Sequence, residues 1–405
     1  MNKIELLAPA GNLEKAKTAI LYGADAVYIG GQQFSLRSRA SNFSLEQIKE
    51  LCDFAKEHGA KVHVTINILP HPSDLEGIKD YLLALDEAGI DAIIAASPTI
   101  LKLAKSLPVS FECHVSTQHS TTNPMAAQFW KEQGMDRVVL SRECSLPEIA
   151  EACRQDILPV EVFIHGGMCI SYSGRCVLSN HMTNRDANRG GCAQSCRWKY
   201  ELKEDGRVIS DPDKLFSMSS RDLMAVDYIE ELINMGGSSL KIEGRMKSAY
   251  YLATVVSAYR RLIDHIYETG HADADFLQSI RSEIAKAENR PAGPGFYGGL
   301  PDESMQLYRN HSETVTQEYV AQVLEADRDG RTIWQVKNYF DLTDPFELFG
   351  PHTEPLQIDM EDLRDENGIP ITVCRNPMAI VSTRKVEQAE PFAMLRRMRQ
   401  PEIDD

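Results

Sequence analysis

The chain has 405 residues, 43 % hydrophobic and 25 % charged, a globular balance that excludes a fibrous or wholly disordered protein. It contains no run of about 18 apolar residues, and its start, MNKIELLAPAGN, lacks a charged segment followed by an apolar one. Neither a membrane span nor a secretory leader is therefore expected, and the cytoplasm is the expected compartment. The net charge of −16 argues against a uniformly basic nucleic-acid binder, and an odd number of cysteines, nine, with four of them clustered, argues against a disulfide framework.

In chain order, a short apolar run and an amphipathic helical run alternate through the first 250 residues. The apolar runs are IELLAP from Ile4, AVYIG, KVHVTIN from Lys61, DAIIAAS from Asp91, VSFECHV from Val109, DRVVLS from Asp136, VEVFIHG from Val160 and SLKIEG from Ser239. Residues 45–59 put Ile48, Leu51, Cys52 and Ala55 on one helical face and stop at Gly59, and residues 74–89 follow the same pattern. Eight such βα units predict an α/β fold, a TIM-like (β/α)8 barrel over residues 1–290. An open doubly wound sheet is the alternative.

One interval is abnormal. Between the seventh and eighth apolar runs lies an insert, about residues 166–238, at the end of the barrel where such folds do chemistry. It holds Cys169, Cys176, Cys192 and Cys196, spaced C-x6-C-x15-C-x3-C, with Gly174, Gly190 and Gly191 between them. Zinc sites usually use two close cysteine pairs, and only the second pair here fits. Four thiolates also suit a [4Fe–4S] centre. Spacing alone leaves iron–sulfur and zinc both open. Residues 165–200 carry Arg175, Arg185, Arg189, Arg197 and Lys199 against Asp186 alone, a local surplus of positive charge. Arg185, Arg189 and Lys199 are candidates for RNA phosphates.

After two long helical runs, 246–269 and 273–288, seven of the eleven residues from 291 to 301 are Gly or Pro, which predicts a linker or loop over 291–315. GPGFYG within it matches a dinucleotide pattern but follows a helix, the wrong context. EYVAQVLEADRDGRTIWQVKN then alternates about Asp329-Gly330, a hairpin signal, so residues 316–405 are expected to form a small all-β, barrel-like domain. Residues 301–405 carry 21 acidic and 11 basic side chains, so the chain's negative charge concentrates there.

At the expected strand ends stand Asn67, Ser116 with Gln118, Arg142 with Glu143, His165, and Lys241 with Glu243 and Arg245; Arg37 and Arg39 follow the second strand. Arg37, Arg142, Lys241 and Arg245 are candidates for an anionic substrate, and His165 and Glu243 for catalysis. Each could equally sit in a structural ion pair. Cys113 and His114 are adjacent on one strand and point to opposite faces, so they cannot act as a nucleophile and its base. No H-E-x-x-H, G-x-S-x-G or phosphate-loop lysine motif is present.

ELLAPAGNLEKA, YGADAVYIG, LSRE at 140–143, HGGMCISYSGRCVLS at 165–179, CRW at 196–198 and SLKIEGRMKS at 239–248 resemble the collagenase-like U-32 peptidase family along the whole chain. The resemblance is strongest to members that hydroxylate tRNA. It implies a [4Fe–4S] cluster on Cys169, Cys176, Cys192 and Cys196, prephenate as co-substrate, and hydroxylation of the wobble uridine of tRNA at C5. A peptidase activity and a zinc-stabilised RNA-binding module are the alternatives.

Overall fold

A computed structural model describes residues 3–32, 34, 42–213, 215–287, 290–307 and 317–398. Eight parallel strands close on themselves: β1 (Glu5–Pro9), β2 (Ala26–Gly30), β3 (Lys61–Ile66), β4 (Ala92–Ala95), β5 (Glu112–Val115), β6 (Arg137–Val139), β7 (Val160–Gly166) and the closing strand Ser239–Ile242. The closing strand bonds β7 on one side and β1 on the other, so the sheet has no open parallel edge. The fold is thus the TIM-like barrel that eight alternating units imply, and the open-sheet alternative falls.

Local chemistry explains the helices around it. In Leu45–Glu57, Ser44 and Gln47 cap one another's backbone, and Ile48, Leu51, Cys52 and Ala55 are the buried face. The expected helix over 74–89 divides. Gly77 takes a left-handed φ of 76°, so Pro72–Leu75 closes as one tight turn and the helix proper runs Ile78–Ala88.

The segment expected as a linker is partly built into the barrel. Asp222–Met224 runs antiparallel to the end of β7, Ala292–Gly293 pairs with Asp222–Leu223, and buried Tyr297 donates its hydroxyl to the Phe163 carbonyl at 2.5 Å. Residues 308–316 lie outside the described residues.

Beyond them, six antiparallel strands form one sheet in the spatial order Leu356–Ile358, Phe346–Phe349, Met394–Met398, Gln317–Arg328, Arg331–Val336, Ile380–Arg384. Paired bonds between Arg364 and Ser382 tie the chain after the first of these to the opposite edge, which curls the sheet toward a barrel. Asp329 and Gly330, both at positive φ, make the predicted hairpin turn. This domain sits on the barrel through Arg396, which is fully buried and bonds Glu347 of its own domain and Glu283 of helix Ala274–Ala285 (2.7 Å to each). Tyr22 adds a hydroxyl bond to the Phe392 carbonyl at 3.0 Å.

Candidate functional site

The insert after β7 is a cap fastened over the C-terminal mouth of the barrel. Between Cys169 and Asp222 its only α-helix among the described residues is the six-residue Leu178–Thr183, with short turns and a hairpin of two-residue strands; the strand Asp222–Met224 and the helix Ile229–Asn234 follow. It is tied to three different barrel loops. Beyond β3, Leu69 N–H bonds the Asn188 carbonyl at 3.1 Å, and Arg189 pairs with Asp74 at 2.6 Å. Beyond β5, Ser120 Oγ donates to the Ser173 carbonyl at 2.5 Å, and Arg175 reaches Ser120 Oγ at 3.2 Å. Beyond β6, Glu143 accepts from the Ser173 amide at 3.1 Å. Gly174, at φ 76°, lies so close to the Gln118 carbonyl that any Cβ there would overlap it.

The thiols share one neighbourhood. Crowding by surrounding protein raises the Cys169 thiol although solvent reaches the residue; the Arg142 guanidinium opposes this, and Cys196, Cys192 and Glu243 add to it. Burial likewise raises the Cys196 thiol, countered by Arg197, with Cys192 and Cys176 as further neighbours. Cys169 is therefore within electrostatic reach of the mouth residues Arg142 and Glu243. Among the described residues no three His, Cys, Asp or Glu side chains converge on a single-ion position. One tetrahedral zinc at about 2.3 Å would require thiolates about 3.8 Å apart. A [4Fe–4S] cluster spreads its four thiolates over four irons. The cap also lacks an apolar core. Between Cys169 and Asp222 the buried described side chains are Ser173, Ser179, Ser195, Ser217, Ser219 and Asp222, and none is hydrophobic. A segment of that kind suits cross-linking by a bound inorganic group. Four neighbouring thiols on a segment without an apolar core are residues that could hold a bound inorganic group.

At the mouth, the Arg142 guanidinium lies 3.6 Å over the Phe163 ring and contacts Glu243 Oε2 at 3.3 Å. Glu243 also meets the Tyr28 hydroxyl at 3.4 Å, which donates more closely to the Ile242 carbonyl at 3.0 Å. Arg245 is buried, bonds Asn42 and reaches Thr65 Oγ1 at 3.4 Å. Gly30 leaves the room that its guanidinium occupies. Arg142, Glu243 and Arg245 thus gather at one rim, as their strand-end positions suggest. Arg37 lies outside the described residues.

Two candidates sit elsewhere than expected. Lys241 is inside the barrel, its ammonium bonded to Glu161 at 2.6 Å and standing 4.5 Å from the Tyr28 ring centre. It belongs to a buried charged core in which Arg137 joins Glu5 (2.5 Å) and Glu161 (3.2 Å). Lys241 and Arg137 reach Glu161 from the two strands that flank β7, and Arg137 reaches Glu5 across the interior, since β6 and β1 are not neighbours. Burial raises the Glu161 carboxyl, but Lys241 and Arg137 outweigh it and hold it below the usual range. His165 is the second. It contacts Tyr259, whose hydroxyl lies 3.3 Å from Nδ1, and the Tyr251 ring, both on helix Ala249–Thr269. Burial, with Lys247 nearby, drops its pKa to about 3, so it is neutral at ordinary pH.

Of the phosphate candidates, Arg189 is neutralised by Asp74. Arg185 donates to the Cys192 carbonyl at 3.3 Å and Lys199 is exposed. Sequence reasoning missed Tyr28, Phe163 and Glu161. An acidic residue inside the buried run VEVF was the available signal for Glu161.

The barrel with a thiol-bearing cap over its mouth defines the class. A model described as peptidase family U32 matches residues 11–307, and one described as the peptidase family U32 C-terminal domain matches residues 315–396; the chain belongs to that family. It is 46 % identical to "tRNA hydroxylation protein P1" of Bacillus subtilis, over 98 % of this chain and 95 % of that protein. It is 42 % identical to "23S rRNA 5-hydroxycytidine C2501 synthase" of Escherichia coli, over 66 % of this chain and 40 % of that protein. It is 32 % identical to "Collagenase" of Porphyromonas gingivalis, over 74 % of each.

Proposed function

We propose that the chain is an RNA-modifying enzyme that hydroxylates the wobble uridine of tRNA at C5, with a [4Fe–4S] cluster on Cys169, Cys176, Cys192 and Cys196 and prephenate as co-substrate. The observation that carries this reading is the cap's position over the barrel mouth, with Cys169 within electrostatic reach of Arg142 and Glu243. The 46 % identity to a protein named for tRNA hydroxylation supports the same choice of substrate. Converting C5–H to C5–OH removes two electrons from the base and adds one oxygen, so the co-substrate would have to supply that oxygen and take up the two electrons; a cluster, when bound, would supply one-electron transfer.

The chain's own residues bind and orient. Arg142 and Arg245 offer planar guanidinium groups to the two carboxylates of prephenate, and the Phe163 face fixes the plane of Arg142. Glu243, held between Tyr28 and Arg142, is the carboxylate available to take a proton at the mouth. Lys241 serves from below, by keeping Glu161 ionised inside the barrel. No transmembrane-length apolar helix occurs among the described residues, and such an enzyme works in the cytoplasm beside its tRNA.

The peptidase reading is favoured by names alone, those of the family models and of the collagenase relative. Against it, burial pushes the Cys113 thiol up to about 12, and His165 bonds a tyrosine rather than a nucleophile–base partner. Mass spectrometry of tRNA nucleosides from strains with and without the gene tests the proposal. Loss of 5-hydroxyuridine-derived nucleosides on deletion is expected, and an unchanged profile would overturn it.

A further inference from the structure

The cap exposes apolar and aromatic side chains that a solvated loop does not need. Ile170, Tyr172, Val177, Met182 and Trp198 are all exposed, within thirty residues of chain. Scattered single apolar side chains call for no explanation, but a concentration on one small element does. The chain's other two tryptophans, Trp130 and Trp334, are buried, so Trp198, 42 % exposed, is the only tryptophan in water.

Tyr172 and Trp198 are rooted next to the thiols. Tyr172 lies three residues after Cys169, and Trp198 two after Cys196. At no more than about 3.6 Å of chain per residue, their backbones lie within about 11 Å and about 7 Å of those cysteines. Cys169 and Cys196 are neighbours of each other. Ser173, adjacent to Tyr172, is fastened to Glu143 at the mouth rim. Both residues are therefore rooted close to the thiols, and Tyr172 also close to the rim.

The charges beside them complement a polyanion. Arg175 bonds a serine hydroxyl and Arg185 a backbone carbonyl, both neutral acceptors, whereas Arg189 and Arg197 face Asp74 and Asp222. Exposed flat rings beside arginines whose bonds leave their charge in place suit unpaired nucleotides: the ring stacks on a base and the arginine meets a phosphate. A duplex would hide its base faces from these rings.

We propose that Tyr172 and Trp198 form a stacking platform for unpaired RNA nucleotides at the mouth, with Arg175 and Arg185 taking the adjoining phosphates. This rests on the RNA reading above and adds which RNA form is bound and by which residues. The test uses the full chain, purified without oxygen, and fluorescence anisotropy with a short uridine-rich single strand and a hairpin duplex of equal length. The single strand should bind more tightly. Tyr172→Ala and Trp198→Ala should each weaken it about tenfold and leave the duplex unchanged, while Trp198→Phe retains most of the affinity. Binding should also quench the fluorescence of exposed Trp198. Phe129→Ala, at an exposed aromatic outside the cap, should change nothing. If the parent binds single strands and both alanine variants match it, the platform is wrong and the RNA reading stands. If the parent binds neither RNA, the RNA reading falls too.

Discussion

The barrel wall and the cap solve stability in opposite ways. The strands of the wall are buried almost throughout, and fully burying each Leu, Ile or Val is worth roughly 1.5–3 kcal/mol. The ions inside the wall are locked in pairs: Lys241 with Glu161, and Arg137 with Glu5. The cap has no buried hydrophobic side chain from Cys169 to Asp222 among the described residues; serines fill its interior and polar bonds to three barrel loops hold it down. The wall is thus self-sufficient, and the cap depends on its tethers and, under the proposed function, on a cluster bound by its thiols. Perturbing each should produce different failures.

The largest expected effect is on the cap. Cys176→Ser should cost at least about 100-fold in tRNA hydroxylation, since a missing ligand removes both the cluster and its cross-link. Hydrogen exchange should rise in residues 169–213 while the barrel strands stay protected. Equal loss of protection in both regions would end the contrast.

Glu161→Leu should do the reverse. It strands Lys241 and Arg137 as buried charges without that carboxylate, at a cost of about 3–5 kcal/mol in global stability. Denaturant unfolding measures it, and a change under about 1 kcal/mol would show that the interior ions are not coupled as described.

Gly174→Ala sharpens the comparison at a single tether. The alanine cannot occupy the space beside the Gln118 carbonyl and disfavours φ 76°. The cap should lift from the loop after β5, lowering activity about tenfold with a melting temperature close to the parent's. Unchanged activity would mean that this tether does not position the thiols.

How much of this was legible depends on depth as well as pattern. The barrel followed from eight alternating runs, because buried parallel strands and amphipathic helices leave distinct periods. The mouth was legible only where a residue lies beyond its strand. The closing strand ends at Ile242, so Glu243 and Arg245 emerge at the rim while Lys241 remains inside, a difference of two positions that SLKIEGR does not reveal. The register against β7 also shifts between Lys241 and Ile242, so alternation could not place the His165 ring. The cysteine cluster was visible as composition, but the loops it binds depend on long-range bonds such as Leu69 to Asn188.

The smallest effect is that of pH on the wall. Burial depresses the His63 pKa to about 3, with Glu5 opposing, and His114, Arg137 and Glu161 also facing the ring. The folded state refuses a proton that the unfolded chain accepts below about 6.5, so its contribution is full above that pH and is lost as pH falls toward about 3. Glu5, held at about 2 because His63 and Arg137 overcome the opposing effect of burial, loses its contribution as pH falls from about 4.5 toward about 2. The melting temperature should therefore fall on acidification below about 6.5, less steeply in His63→Gln. Identical slopes would remove His63 from the account.

The most direct test of the central claim is the inorganic content of the chain purified without oxygen. About four iron and four labile sulfide per chain are expected, with the brown colour lost in Cys169→Ser, Cys176→Ser, Cys192→Ser and Cys196→Ser and kept in Cys374→Ser, whose thiol is buried in the C-terminal domain. One zinc per chain with no labile sulfide would contradict it.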